Sequence, residues 1–147
     1  MSDRARRVLP AAVWTAAVLL ASGPGFSASE SGFLLRAILR VLVGEVSPVT
    51  YEVLHVALRK AAHVTEYAIL GALWFRALRT GDTPSWRTSW ALGAFGVAAL
   101  VSLADEARQS LTASRTGSLH DVALDLAGAA LALVAIRAWS ARGPTIS

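Results

Sequence analysis

The stretch Lys60-Ala-Ala-His63-Val-Thr-Glu66-Tyr67-Ala-Ile-Leu-Gly71 places polar side chains on an apolar segment of membrane length. Lys60 is the only lysine of the chain. Because a helix turns about 100° per residue, Lys60, His63 and Tyr67 share one face. Ionisable groups next to hydrocarbon are costly and point to a functional site by default. The stretch therefore predicts a membrane helix that carries part of a polar site.

A second polar run lies at the facing ends of the next two apolar segments. It reads Asp105-Glu106-x-x-Gln109, passes through Arg115 and ends in Asp121-x-x-x-Asp125. At these spacings Asp105 and Gln109 share one helix face, and Asp121 and Asp125 share another. Opposed charges at the ends of three segments predict one shared site at one end of a small bundle.

Composition favours a membrane protein. The 147 residues are 54% hydrophobic and only 16% charged, where soluble domains average about 25% charged. The net charge is +4, and the arginines lie at segment ends instead of forming a basic stripe, so we predict no nucleic-acid partner. The chain has no cysteine, which excludes disulfides and thiolate chemistry.

Four segments are long enough to cross a bilayer, at about 8–24, 58–79, 88–106 and 119–139. A fifth apolar stretch, about 33–43, is too short and carries two arginines on one face, which predicts a helix lying in the membrane interface. The predicted fold class is all-α: one domain over 1–147, an integral membrane four-helix bundle with a short interfacial helix after the first span.

Turn and cap residues mark the predicted boundaries. Gly23-Pro24-Gly25 ends the first span, and residues 27–32 are predicted to form a polar turn. Ser47 is suited to cap a long helix that has Pro48 at its first position and reaches about residue 78, with Gly81 as its stop. A cleaved signal peptide is the alternative interpretation of the first segment, since a charged start precedes its apolar run.

Charge bias sets the predicted orientation. With the N-terminus in the cytoplasm, the inner side carries eight basic residues: Arg4, Arg6, Arg7, Arg76, Arg79, Arg87, Arg137 and Arg142. Six remain outside: Arg36, Arg40, Arg59, Lys60, Arg108 and Arg115. The excess inside follows the positive-inside rule. We therefore predict a multi-pass protein of the inner (cytoplasmic) membrane with both termini cytoplasmic and the polar runs outside. Four tryptophans, Trp74, Trp86, Trp90 and Trp139, fall at the inner interface in this topology.

The predicted binding pocket combines cationic, acidic and amide groups. Its residues are Lys60, His63, Tyr67, Asp105, Glu106, Gln109, Arg115, Asp121 and Asp125. His63, Asp105 and Asp121 are the candidates for acid/base catalysis, and Asp121 or Asp125 is the expected partner of Lys60. Taken singly, each group also has a structural explanation. Lys60 could extend towards the interface from an ordinary helix end, and Asp121 could cap the fourth span with Ser118.

Metal and nucleophile chemistry are weakly supported. His63, Asp105, Glu106 and Asp121 offer nitrogen and oxygen ligands, but the chain has no His-x-x-x-His pair. We predict no metal and no cofactor. Ser110 could complete a Ser-His-Asp set with His63 and Asp121, although nothing in the local sequence supports it. No glycine-rich phosphate loop is present.

On these polar residues the chain resembles the VanZ-like family of bacterial integral membrane proteins. The match is Lys60-x-x-His63-x-x-x-Tyr67-x-x-Leu70-Gly71, then Asp105-Glu106-x-x-Gln109-x-x-x-x-x-Arg115-x-x-x-x-x-Asp121-x-x-x-Asp125-x-x-Gly128. The first span is similar only in general layout. There are two departures: many members have Asn near Asp125, and Ala132 stands where a second glycine often follows.

The resemblance implies an envelope role. The family's namesake is associated with resistance to the glycopeptide teicoplanin, and no enzymatic reaction is established for the family. Our first hypothesis is a protein that binds or alters an envelope component through the outer-face pocket. One alternative is a membrane-embedded acid/base hydrolase or transferase acting on a lipid or cell-wall precursor. A second is a structural accessory subunit of a larger membrane complex. The expected partners are membrane lipids, with a cell-wall precursor, a lipoglycopeptide or another membrane protein as further candidates.

Overall fold

Helices account for all regular structure in the part of the chain that the computed structural model describes, residues 2–21, 28–80, 86–110 and 119–142. Within those residues there are five helices: α1 (Asp3–Ala21), α2 (Ala28–Val43), α3 (Pro48–Leu78), α4 (Thr88–Ser110) and α5 (Leu119–Ala141). The predicted all-α class is confirmed.

Two helices, α4 and α5, are long and apolar enough to cross a membrane. The other two predicted spans are more polar. Arginines crowd the start of α1, and α3 carries His63 and Glu66 along its length. The residues that mark the candidate site therefore also lower the mean hydropathy of the helix that holds them.

Local sequence explains how α3 begins. The hydroxyl of Ser47 accepts a hydrogen bond from the Thr50 backbone N–H at 3.1 Å, and Pro48 occupies the first turn, as predicted. Because α3 has 31 residues, it extends for about 46 Å at 1.5 Å per residue. Its first half passes beyond the region where the other long helices pack.

The predicted turn over residues 27–32 is wrong for the part that is described. Helix α2 begins at Ala28, five residues before the predicted start at 33. Serine and glutamate, read from the sequence as turn formers, are also favoured near a helix N-terminus, where negative groups complement the dipole. Gly23-Pro24-Gly25 and Gly81, the predicted breaks, lie outside the described residues.

Helix α1 is packed into the molecule by polar contacts as well as apolar ones. The Trp14 indole donates to the Glu66 backbone carbonyl at 3.0 Å, and the Trp74 indole donates to the Thr15 hydroxyl at 3.0 Å. Ala11 and Val18 are buried. These contacts make α1 a structural part of the helical core and explain why two of the tryptophans point inward.

Aromatic residues close the end of the core opposite the candidate site. The rings of Phe75 and Trp86 stack with centroids 5.1 Å apart, and Trp90 meets Phe75 edge-on at 6.3 Å. Trp90 is buried, whereas Trp139 is 78% exposed. Trp90 therefore packs in the helical core.

Helices α3 and α5 are the most extensively packed pair among the described helices. A Cβ on Gly128 would lie 2.2 Å from the Val64 carbonyl oxygen. Further along the same interface, a Cβ on Gly71 would lie 3.2 Å from the Ala129 Cα. Small residues allow such close contact between membrane-type helices, and this contact brings the polar residues of α3 and α5 together.

Candidate functional site

A buried carboxylate forms the centre of the site. Asp125 on α5 is 4% exposed, and each of its oxygens has a side-chain partner on a different helix. Its Oδ1 lies 3.1 Å from His63 Nδ1 on α3, and its Oδ2 accepts a hydrogen bond from the Ser102 hydroxyl on α4 at 2.8 Å. Asp125 therefore links three helices through one side chain.

The close packing of α3 and α5 makes this network possible. Asp125 and Gly128 are three residues apart and lie on the same face of α5. Because Gly128 lies against the Val64 backbone, Asp125 comes within reach of the adjacent His63. A side chain at position 128 would separate the helices just where the carboxylate meets the imidazole.

The contact with Asp125 determines which ring nitrogen of His63 carries the hydrogen when the carboxylate is ionised. An ionised carboxylate can only accept hydrogen bonds, so Nδ1 of His63 carries the hydrogen when Asp125 is charged. The second ring nitrogen, Nε2, then remains as the atom that can exchange a proton or bind a donor. The His63 side chain retains 20% exposure, whereas that of Asp125 retains 5%.

Asp105 and Tyr67 extend the site with buried polar atoms. Gln109 Nε2 donates to Asp105 Oδ2 at 2.6 Å, and both residues are buried. The other carboxylate oxygen of Asp105 and the Tyr67 hydroxyl are also buried, and neither makes a hydrogen bond with regular geometry within the described residues. The Tyr67 hydroxyl lies beside Ser102, whose own hydrogen is directed to Asp125.

Acidic groups dominate the electrostatics of the site. Asp125, Glu66 and Asp121 all add negative potential at His63. Asp125, Asp105 and Glu66 do so at the Tyr67 hydroxyl. Among the described residues, the potential at His63 and at the Tyr67 hydroxyl therefore favours hydrogen-bond donors or positively charged groups over anions.

Lys60 does not take the position expected from the sequence. It is exposed and makes no ion pair with any described residue. Its neighbour Arg59 instead lies 3.9 Å from Asp121, and Asp125 is engaged by His63 and Ser102. The expected Lys60–carboxylate pair is therefore wrong, because the α3 face that meets α5 is rotated towards Arg59 and His63.

Of the remaining predicted residues, Glu106 and Ser110 lie in the part of the chain that the structure describes. Glu106 is partly buried beside Asp105 on α4. Arg115 and Ser118 lie outside the described residues. Ser110 is exposed and donates to the Ala107 carbonyl, so the Ser110–His63–Asp121 arrangement does not form.

Ser102 is the contact residue that sequence reasoning missed. It precedes Asp105 by three residues and Gln109 by seven, the spacing of a single helix face. That periodicity is visible in the sequence, but serine is common in membrane helices, and an uncharged side chain does not by itself indicate a polar site. In this network the carboxylate stands between the imidazole and the hydroxyl, so His63 is not placed to deprotonate Ser102 as in a nucleophilic triad.

Metal-ligand geometry is not found among the described residues, where no group of three or more His, Cys, Asp or Glu side chains could hold an ion. Glu52 and His55 have ligand-like spacing on the exposed half of α3, but the His55 ring stacks on Tyr51 at 5.8 Å.

Comparison with known proteins supports the resemblance noted in the polar residues. No curated protein and no solved structure matched the chain. The family model described as VanZ/LLP1 matches residues 8–140, a range that includes α1 as well as the polar runs. Together with two apolar helices of spanning length, the match indicates a membrane protein. The chain belongs to the VanZ/LLP1 family.

Proposed function

We propose that this protein is a multi-pass protein of the bacterial cytoplasmic membrane whose polar site binds or alters a cell-envelope component. In this arrangement α1, α4, α5 and the second half of α3 span the bilayer, α2 lies at the outer interface and both termini are cytoplasmic. The proposed outcome is reduced susceptibility to glycopeptides of the teicoplanin type. The observation that carries the proposal is the buried Asp125, held by His63 and Ser102 inside an apolar helix assembly.

Energetics support a functional role for this network. On insertion scales a carboxylate costs up to about 2.5–3.5 kcal/mol at the centre of a membrane helix, and Asp125 lies between the N-terminal end and the centre of α5. Interhelical hydrogen bonds in membranes return on average only about 0.6 kcal/mol each. Function therefore accounts for the charge better than stability does.

Two buried polar atoms of the site lack a regular hydrogen bond within the described residues, and this supports ligand binding. A polar cluster that only joined helices would pair all its buried atoms, since an unpaired buried group costs about 1–3 kcal/mol. Within the described residues, the Tyr67 hydroxyl and Asp105 Oδ1 have no regular hydrogen bond. A donor group of an envelope component could supply these contacts. Candidates are an amine or hydroxyl of a cell-wall precursor or of the antibiotic itself.

The test is a susceptibility assay with matched variants. The chain is expressed in a teicoplanin-sensitive host, and the minimal inhibitory concentration is compared for wild type, His63→Ala and Asp125→Asn. Both variants should lose the protection at unchanged membrane abundance. Glu52→Ala, an exposed change on the same helix, is the control and should retain it. Full protection by both site variants would contradict the proposal.

Acid/base catalysis is the second candidate, and the orientation of His63 favours it. A carboxylate on Nδ1 fixes the orientation and the tautomer of the ring, which is how general bases are commonly positioned. Purified protein in lipid would then convert a lipid or cell-wall precursor, with a pH–rate profile that reports an ionisation in the histidine range. Absence of product across candidate envelope lipids, with retained binding, would leave binding as the function.

A further inference from the structure

A pocket lies far from the polar site, between the end of α2 and the start of α3. Its volume is about 230 Å³, and its walls are Arg36 and Arg40 on α2, the connection at 44–46, and Pro48 and Tyr51 on α3. Tyr51 precedes His63 by twelve residues, which is about 18 Å along the helix. The pocket is therefore separate from the Asp125 network.

Charge in this pocket is positive, in contrast to the acidic surroundings of His63. The Arg36 guanidinium lies over the Tyr51 ring, 4.4 Å from its centroid. Stacking holds the guanidinium plane and leaves its edge N–H groups available for a bidentate contact. Within the described residues Arg36 makes no ion pair, so no described carboxylate neutralises its charge.

The second arginine has a weak and exchangeable partner. Arg40 Nε lies 2.9 Å from Glu45 Oε1, and the two side chains are 75% and 79% exposed. Exposed ion pairs contribute about 0–1 kcal/mol, so a competing anion can replace the glutamate. Two arginines against one glutamate give the walls of the pocket an excess positive charge.

Exposed apolar side chains lie on the same ends of α2 and α3 as the pocket. Val41 and Leu42 at the end of α2 are 84% and 74% exposed, and Val49 and Val53 on α3 are 74% and 63% exposed. Arginines beside exposed aliphatic residues match the boundary between lipid headgroups and acyl chains, where a phosphate lies next to hydrocarbon. A soluble anion would gain nothing from these aliphatic neighbours.

We propose that this pocket binds the phosphate of an anionic lipid headgroup, with the acyl chains lying against the exposed aliphatic residues of α2 and α3. Arg36 and Arg40 provide the phosphate contacts, and Tyr51 holds Arg36 in position. The binding anchors the first half of α3 at the membrane surface above the polar site. This inference shares the membrane location of the proposed function but does not depend on the chemistry at His63.

The test measures lipid retention by the purified full-length chain in nonionic detergent. Delipidated protein is titrated with phosphatidylglycerol or with phosphatidylcholine of the same acyl chains, and bound lipid is counted by native mass spectrometry. Wild type should prefer phosphatidylglycerol. Each of Arg36→Ala and Arg40→Ala should weaken that binding by about fivefold, from about 1 kcal/mol per basic residue.

Matched variants distinguish binding at this pocket from a general effect of surface charge. Glu45→Gln should strengthen phosphatidylglycerol binding because it removes the competing carboxylate. Arg76→Ala, an exposed arginine at the opposite end of α3, should leave it unchanged. None of these residues belongs to the Asp125 network, so the lipid measurement is independent of the susceptibility assay.

Three results would overturn the inference. The first is equal retention of the two lipids by wild type. The second is wild-type affinity in the Arg36→Ala/Arg40→Ala double variant. The third is competition by millimolar inorganic phosphate as effective as that by the lipid, since this would show an anion site without lipid recognition.

Discussion

The polar network around Asp125 and the pocket at the start of α3 differ in how exposed their charged groups are. The network buries a carboxylate, whereas the pocket presents arginines to its surroundings. Asp125 is 4% exposed and is linked by side-chain contacts to two other helices. Arg40, in the pocket at the start of α3, is largely exposed and pairs with a glutamate five residues away. The first arrangement depends on close helix packing and cannot shift without moving the helices. The second depends on local sequence and is open to exchange with an external anion.

The two regions also differ in what holds their backbones in place. Around His63, α3 meets α5 so closely that Gly128 lies against the Val64 carbonyl. In contrast, α2 packs only lightly on α3, and the start of α3 relies on its Ser47 cap. We expect a side chain added at the close α3–α5 contact to affect the whole fold, and changes at the start of α3 to remain local.

Gly128→Ala should produce the largest effect. Its new Cβ would lie 2.2 Å from the Val64 carbonyl oxygen, a backbone atom that cannot turn away. Overpacking of this kind costs about 1–3 kcal/mol, and we expect the upper end of that range. The measurement is the free energy of reversible unfolding in mixed micelles as the denaturing detergent fraction rises.

Gly96→Ala is the control for that experiment. A Cβ at Gly96 on α4 would meet nothing within 4 Å. The substitution should be neutral or stabilise by up to about 1 kcal/mol through helix propensity. If Gly128→Ala proves as stable as Gly96→Ala, the close contact between α3 and α5 is wrong.

Ser47→Ala should produce a smaller and local effect in the second region. It removes the hydroxyl that accepts from the Thr50 N–H, at a cost of about 1 kcal/mol. Amide hydrogen exchange should quicken in the first turn of α3 and remain unchanged around His63. Ser47→Asp, which keeps a capping oxygen, should restore slow exchange. Faster exchange around His63 would show that the two regions are coupled.

Much of this fold follows from local patterns in the sequence. Segment length and the Ser47-Pro48 signal predicted the long helix α3, because caps depend on neighbouring residues. The sequence predicts the start of α2 five residues too late, since serine and glutamate suit both turns and first helical turns. Helical spacing also predicted which residues would share a face.

The contacts of the candidate site were less predictable, since they depend on how helices rotate against each other. Lys60 and Arg59 are adjacent, so a turn of about 100° decides which one faces α5. The structure selects Arg59 for Asp121 and leaves Lys60 exposed. Ser102 was missed for the same reason: an uncharged side chain becomes a partner only once α4 is placed beside Asp125.

A double-mutant cycle between α3 and α5 tests most directly whether His63 and Asp125 form the centre of the site. His63→Ala, Asp125→Ala and the double variant are compared by free energy of unfolding, alongside the parallel cycle of Lys60→Ala with Asp125→Ala. We predict coupling of about 0.6–1.7 kcal/mol between His63 and Asp125, the range for interhelical contacts in membranes. We expect additive effects for Lys60 and Asp125. Additive effects for His63 with Asp125, together with coupling of Asp125 to Lys60, would contradict the central role of this pair.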